Sequence, residues 1–365
     1  MRRRALTAVV VGAVALAAAA GLWRLGPAVT FAVALAAPAA EPWLPGGGGE
    51  PARHAVTVAG PAGPLDADLY RPPVPRGALL LVHGLSRPGR HHPELQRLAR
   101  LLARQGQLVL VPHFASLAEF RLTGREVAEV SAALEHLARL HARLAVAGLS
   151  VGAGPALLAA AEMPRVRVVA AVGGYADLRD VVAFVTTGVA RFGERRHVAH
   201  QEEYNRWKLL ALLADLADTP ADRGRLAALA ARKLADPNAP LGPEAEGLGP
   251  GGRAILALVL NRDEGAVEAL LAALPPAVTR ALDALSPLPA APRLGDRLIL
   301  VHGLADPSIP YTESLRLGAA AGPGARVVLL RTFHHTGPRS GWELLGPGLL
   351  DGWRLVGAAA DFLSR

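Results

Sequence analysis

The chain has 365 residues, 51% of them apolar, which is length enough for one large domain or for a domain carrying a sizeable insertion. It contains no cysteine, which excludes disulfides, a thiolate nucleophile and any cysteine-based metal site. Its formal charge of +8 is carried almost wholly by arginine, Lys208 and Lys233 being the only lysines, scattered among Asp and Glu with no nucleic-acid-binding pattern, so no nucleic-acid partner is expected.

Met1-Arg2-Arg3-Arg4 is followed by an uncharged run, Ala5 to Trp23, which as a helix of about 28 Å would cross a bilayer core. A second apolar run, Leu25 to Ala40, contains Pro27 and Pro38. A signal anchor, a cleaved signal peptide ending among the small residues near Ala36 to Ala40, and a two-helix hairpin compete here. The anchor is preferred; it makes the membrane a partner and puts the rest of the chain on the extracytoplasmic side, or leaves it secreted if the segment is cleaved. Residues 41–52, rich in Pro and Gly, read as a tether.

From His54 the pattern changes. Ala55–Ala59 and Leu65–Tyr70 alternate around a Gly-Pro turn and predict a hairpin. Ala78–Val82, Gln107–Val111, Ala145–Leu149 and Val166–Val172 are short continuous apolar runs, separated by helical patterns at Glu94–Arg104 and Gly124–Leu140. Buried strands alternating with helices predict a parallel sheet covered on both faces. Tyr175 to about Leu294 breaks the rhythm with helical spacing and no strand-like run, and reads as an insertion over the carboxyl edge of the sheet. The strand-helix pattern resumes with strands at Arg297–Val301 and Arg326–Arg331 and a closing helix over Gly348–Phe362.

Gly148-Leu149-Ser150-Val151-Gly152 lies between a strand and a helix, the context that a nucleophile elbow requires. Ser150 would sit at the tip of a strained turn, and Gly148 and Gly152 would lack side chains because strand and helix pass too close for a Cβ. Asp306 and the pair His334-His335 follow two later strands, so chain order is Ser, Asp, His. Taken singly, Asp306 reads as a turn residue and the histidines as loop; together, all at strand ends where ligands collect, they read as a catalytic triad. Asp177 is a spare acid. His83 and His302 are more often packing residues than catalysts, and His91-His92 has no third ligand at metal spacing, so no metal and no cofactor is expected.

With these motifs the chain resembles α/β-hydrolases of the serine esterase type, and is similar to bacterial hydrolases related to dienelactone hydrolases and acyl-peptide-type peptidase domains. The resemblance covers Arg53 to Arg365. It implies an α/β-hydrolase fold, a mostly parallel sheet of about eight strands, the first antiparallel, with helices on both faces and an inserted helical cap. The corresponding division is 53–177 and 296–365 for the core and 178–295 for the cap, after the segment 1–40. The resemblance makes Ser150 the nucleophile, His335 the general base with His334 the alternative, and Asp306 its orienting acid. His83-Gly84-Leu85 matches the oxyanion loop, with the amides of Leu85 and Val151 as donors. The implied partner is a small-molecule ester or acyl substrate. Peptidase, thioesterase and acyltransferase chemistry share this machinery, and a non-catalytic, membrane-tethered binding protein on the same fold is the alternative of another class.

Overall fold

The computed structural model describes residues 25–35, 37–44, 49–331 and 347–364. The run Ala5–Trp23 lies outside them, and among the described residues no single helix is long and apolar enough to cross a membrane.

The strands of the core are β1 (Ala52–Gly60), β2 (Gly63–Arg71), β3 (Gly77–Val82), β4 (Gln107–Pro112), β5 (Leu144–Leu149), β6 (Val166–Val172), β9 (Leu298–Gly303) and β10 (Arg326–Leu330). A further pair in the insertion comprises β7 (Val189–Phe192) and β8 (Arg195–Val198). The helices are α1 (Leu25–Leu35), α2 (Pro93–Arg104), α3 (Ala115–Ala118), α4 (Glu126–Leu140), α5 (Ala153–Ala161), α6 (Leu178–Thr187), α7 (Glu203–Ala214) and α8 (Pro220–Ala235). They continue with α9 (Gly242–Glu246), α10 (Pro250–Leu260), α11 (Val267–Ala272), α12 (Pro276–Ala284), α13 (Ala291–Leu294), α14 (Thr312–Ala321) and α15 (Pro347–Ser364).

Eight strands make one sheet in the order β1-β2-β4-β3-β5-β6-β9-β10. β3 and β4 are wholly buried and β5 nearly so, as uninterrupted apolar runs in the middle of a doubly covered sheet must be. The strand that opposes the others is β2, antiparallel to both β1 and β4, and not the first strand as expected. The hairpin reverses direction once at Pro61-Ala62 and the five-residue connection from β2 to β3 (72–76) reverses it again, so β1 points the same way as the parallel set. Val82, Gly148, Ala171 and Leu300 occupy one row across four parallel strands. The chain therefore leaves β3, β5, β6 and β9 at a common edge.

Side-chain alternation divides the core in two. Leu80, Val146, Val169 and Leu300 face α4, α5 and α14, while Leu79, Ala147, Ala170 and Ile299 face α2, α15 and α1. α1 accounts for part of the second apolar run. Pro27 sits in its first turn, where a missing N–H costs nothing, and Ala28, Phe31, Ala32 and Ala34 are buried against the core. Glu41, read as tether, is bracketed by Arg97, Arg100 and Arg104 of α2. Residues 25–44 thus contain a helix and a 3₁₀ turn packed on the domain.

The insertion has its own core of Trp207, Leu210, Leu213, Leu226, Leu229, Ile255 and Leu258. It does contain strands: β7 and β8 pair antiparallel about Gly193, at φ +56°. Each is only four residues long and carries two arginines or an arginine beside a phenylalanine, too short and too polar to stand out as a strand pattern. Leu122, Val151 and Ile309, each beyond a strand's carboxyl end, pack into the insertion's core and seat it over that edge.

Candidate active site

The turn after β5 is built as the spacing of its glycines predicts. Ser150 has φ +53°; among the described non-glycine residues only Phe120 shares a positive φ. Such a conformation costs a side-chain-bearing residue roughly 1–3 kcal/mol and persists only where the surroundings impose it. They do so here by close backbone approach. A Cβ on Gly148 would lie 2.5 Å from Ala153 Cα, and one on Gly152 would overlap the His83 carbonyl. A Cβ on Gly84 would lie 2.8 Å from Ser150 Cβ and 3.3 Å from its Oγ. The loops after β3 and β5 are therefore packed backbone to backbone, with Gly84 directly beside the serine hydroxyl.

His83 holds that loop. Its Nε2 accepts the Phe114 N–H at 3.0 Å, so the ring proton is on Nδ1, which donates to the Gly84 carbonyl at 2.8 Å. Burial pushes its pKa down to about 4, keeping the ring neutral and the tautomer fixed. Leu85, Ser150 and Val151 line one wall of a cavity of about 710 Å³. The short turn Ser150–Gly152 runs directly into α5 and leaves the helix N-terminus at this wall, where negative charge is favoured.

Asp306 lies beyond the end of β9 and is 1% exposed. Its Oδ1 accepts the N–H groups of Ser308 (2.8 Å) and Ile309 (3.0 Å), which fixes the carboxylate's orientation. His302 Nε2 is 3.4 Å from Oδ2, but that nitrogen also donates to the Ile309 carbonyl (2.9 Å) and Nδ1 bonds Ser314 Oγ (2.7 Å). His302 is a packing residue with both nitrogens engaged. His334 and His335 lie outside the described residues. Asp177 caps α6, accepting from the Arg179 N–H and from Ser286 Oγ, which gives it a structural part at the root of the insertion.

Two residues that sequence reading passed over belong to this site. Lys208 on α7 lines the cavity, with its ammonium 4.8 Å from the centre of the Tyr204 ring. Burial lowers its pKa, partly countered by the charges of Glu202 and Asp306. Asn205, one turn earlier, donates to the Pro307 carbonyl (3.3 Å) and faces Ser308 Oγ (3.4 Å), tying the cap to the loop that carries Asp306. One signal for Lys208 was present in the sequence: lysine survives at only two positions of an arginine-dominated chain. The other, Lys233, donates to the carbonyls of Pro237 and Ala239 and serves the cap's own structure.

With sheet order and elbow in place, the fold is that of the α/β-hydrolases. No protein-family model matches the chain, and no curated protein sequence matches it. Among solved structures it is similar to the α/β hydrolase GrgF from Penicillium sp. sh18, at 16% identity and TM-score 0.50, over 86% of this chain and all of that one (100%). It is likewise similar to a puromycin-hydrolyzing peptidase of Mycobacterium tuberculosis, at 18% identity and TM-score 0.50, over 86% of this chain. The match spans 39% of that peptidase's length. Both likenesses are of fold.

Proposed function

We propose that the protein is a serine hydrolase that cleaves a carboxylic ester through an acyl-enzyme on Ser150. The observation that carries this reading is Ser150 held at φ +53° on the wall of a large apolar cavity, at the start of a helix. In the reaction Ser150 Oγ attacks the ester carbonyl, and the carbonyl oxygen takes negative charge facing the Leu85 and Val151 amides. The C–O bond then breaks and the alcohol leaves with the serine's proton. Water attacks the acyl-serine in the second half, releasing a carboxylic acid and restoring the hydroxyl. His335, with His334 the alternative, is the proposed proton carrier, and Asp306 the group that orients it. Lys208 gives the cap side of the cavity a cation for a polar alcohol group.

The test pairs a fluorophosphonate probe with p-nitrophenyl butyrate and the matching anilide. The wild type should be labelled on Ser150 and should favour the ester, and Ser150→Ala should lose labelling and at least about 10³-fold in kcat/KM. Undiminished ester hydrolysis by the Ser150→Ala protein would remove the assignment. Faster cleavage of the anilide would turn it toward a peptidase, the activity named for the Mycobacterium tuberculosis neighbour.

A further inference from the structure

The cavity is not confined to the space under the cap. From Ser150 it continues onto the sheet face between α2 and α15, under α1, where Phe31, Leu98, Ala147, Ala170, Val301 and Leu363 are among its walls. The sheet itself records this opening. Ala147, Ala170 and Val301 keep 7%, 6% and 8% exposure, although they sit on central strands beneath helices, while Leu81 and Ile299, which also line the cavity on this face, keep 0% and 2%. Their neighbours facing the other way, Val146, Ala171 and Leu300, keep 0%. Protein interiors are close-packed, with few voids larger than a water molecule. A continuous apolar space beginning at a strained serine is therefore a site for an apolar group.

We propose that this branch, running from Ser150 between α2 and α15 beneath α1, binds the acyl chain of the substrate, which makes the substrate an ester of a medium- or long-chain fatty acid. The inference rests on the serine-hydrolase reading above and names its substrate class. Lys208, Asn205 and Ser308 line the cap side, where the alcohol portion belongs, while the charged residues that line the α2 side, Glu94 and Arg97, pair with each other, and Arg97 also pairs with Glu41 and donates to the Ala34 carbonyl. The length is set by α15, whose cavity-lining residues extend from Leu355 to Leu363, about 12 Å of helix. At about 1.2 Å per bond for an extended chain, that holds roughly ten carbons.

The experiment is a chain-length series of p-nitrophenyl esters from acetate to palmitate. For the wild type, kcat/KM should rise by up to about fourfold per added methylene and level off near ten carbons. Ala170→Leu, which puts a larger side chain into the middle of the branch, should lower the decanoate-to-butyrate ratio of kcat/KM at least tenfold. Should that variant fold poorly, binding of a fluorescent polyene fatty acid to the Ser150→Ala protein, competed by decanoate but not by butyrate, reads the same site. A flat chain-length profile in the wild type, or an unchanged ratio in Ala170→Leu with no fatty-acid binding, would overturn the acyl-chain site. Labelling of Ser150 by a short-chain fluorophosphonate separates the two claims, because it reports the elbow without entering the branch. No labelling sinks the hydrolase reading itself; labelling with a flat profile sinks only this inference.

Discussion

At the scale of single residues, the elbow is a place where the fold holds a side chain in a conformation that it would not choose. The left-handed region suits glycine and penalises any residue with a Cβ by roughly 1–2 kcal/mol. On the proposed function serine stands at 150 because its hydroxyl is the nucleophile, which makes the strain separable from the chemistry. Ser150→Gly should raise the unfolding free energy by roughly 0.5–1 kcal/mol, the relief of strain being partly offset by glycine's greater freedom in the unfolded chain. Ser150→Ala keeps the Cβ and should gain nothing of this kind. Urea unfolding of the three proteins measures the difference, and equal stability of the glycine and alanine variants would show that Ser150 is unstrained. Both variants should lose fluorophosphonate labelling.

At the scale of elements, what the sequence disclosed depended on whether one pattern has one structural meaning. β3, β4 and β5 were legible because a short uninterrupted apolar run between helical stretches has few homes other than the centre of a parallel sheet. Gly148 and Gly152 were legible because only a close approach explains two glycines flanking a serine at that spacing, and the contacts around them supply it. α1 was not, because an Ala- and Val-rich helix reads alike whether lipid or a protein core covers it. The pair β7 and β8 was too short to register beside long helices. Lys208 was hidden because what gives it meaning, the cavity that it lines with Ser150 and Ser308, is assembled from distant parts of the chain. The attachment of α1 can be tested through Glu41, whose side chain is only 12% exposed among three arginines of α2. Glu41→Gln removes the acid that the three arginines share, leaving only the more exposed Glu94 and Glu50 beside two of them, and should weaken docking of residues 25–44 by roughly 1–2 kcal/mol. Amide exchange over α1 should then quicken about tenfold, and unchanged exchange would show that Phe31 and its apolar neighbours hold the helix unaided.

For the whole molecule the decisive joint is where the chain leaves the core for the cap and where it returns. Tyr175 Oη donates to the Leu285 carbonyl, the Leu288 N–H donates to the Ala176 carbonyl, and Arg316 reaches the Arg191 carbonyl. Glu313, in the first turn of α14, meets the chain where it leaves the core for the cap. Its Oε2 accepts the N–H groups of Ala176 (3.0 Å) and Asp177 (2.9 Å), while Arg316 Nε lies 3.5 Å from Oε1. Burial, reinforced by the nearby charge of Asp180, raises its pKa from 4.5 to about 7, against the pull of those amides and of Arg316. Between these two values the folded state binds more protons at this position than the unfolded chain does. The side chain's contribution is therefore fullest below about 4.5 and is lost as pH rises through about 7. Glutamine keeps a carbonyl oxygen for the two backbone N–H groups and does not titrate. The stability of Glu313→Gln relative to wild type should accordingly grow by roughly 2–3 kcal/mol between pH 5 and pH 8, as read from urea unfolding of both proteins. A difference that stays constant across that range would mean that Arg316 keeps Glu313 ionised in the fold, and that the joint is held by an ion pair and not by a protonated acid.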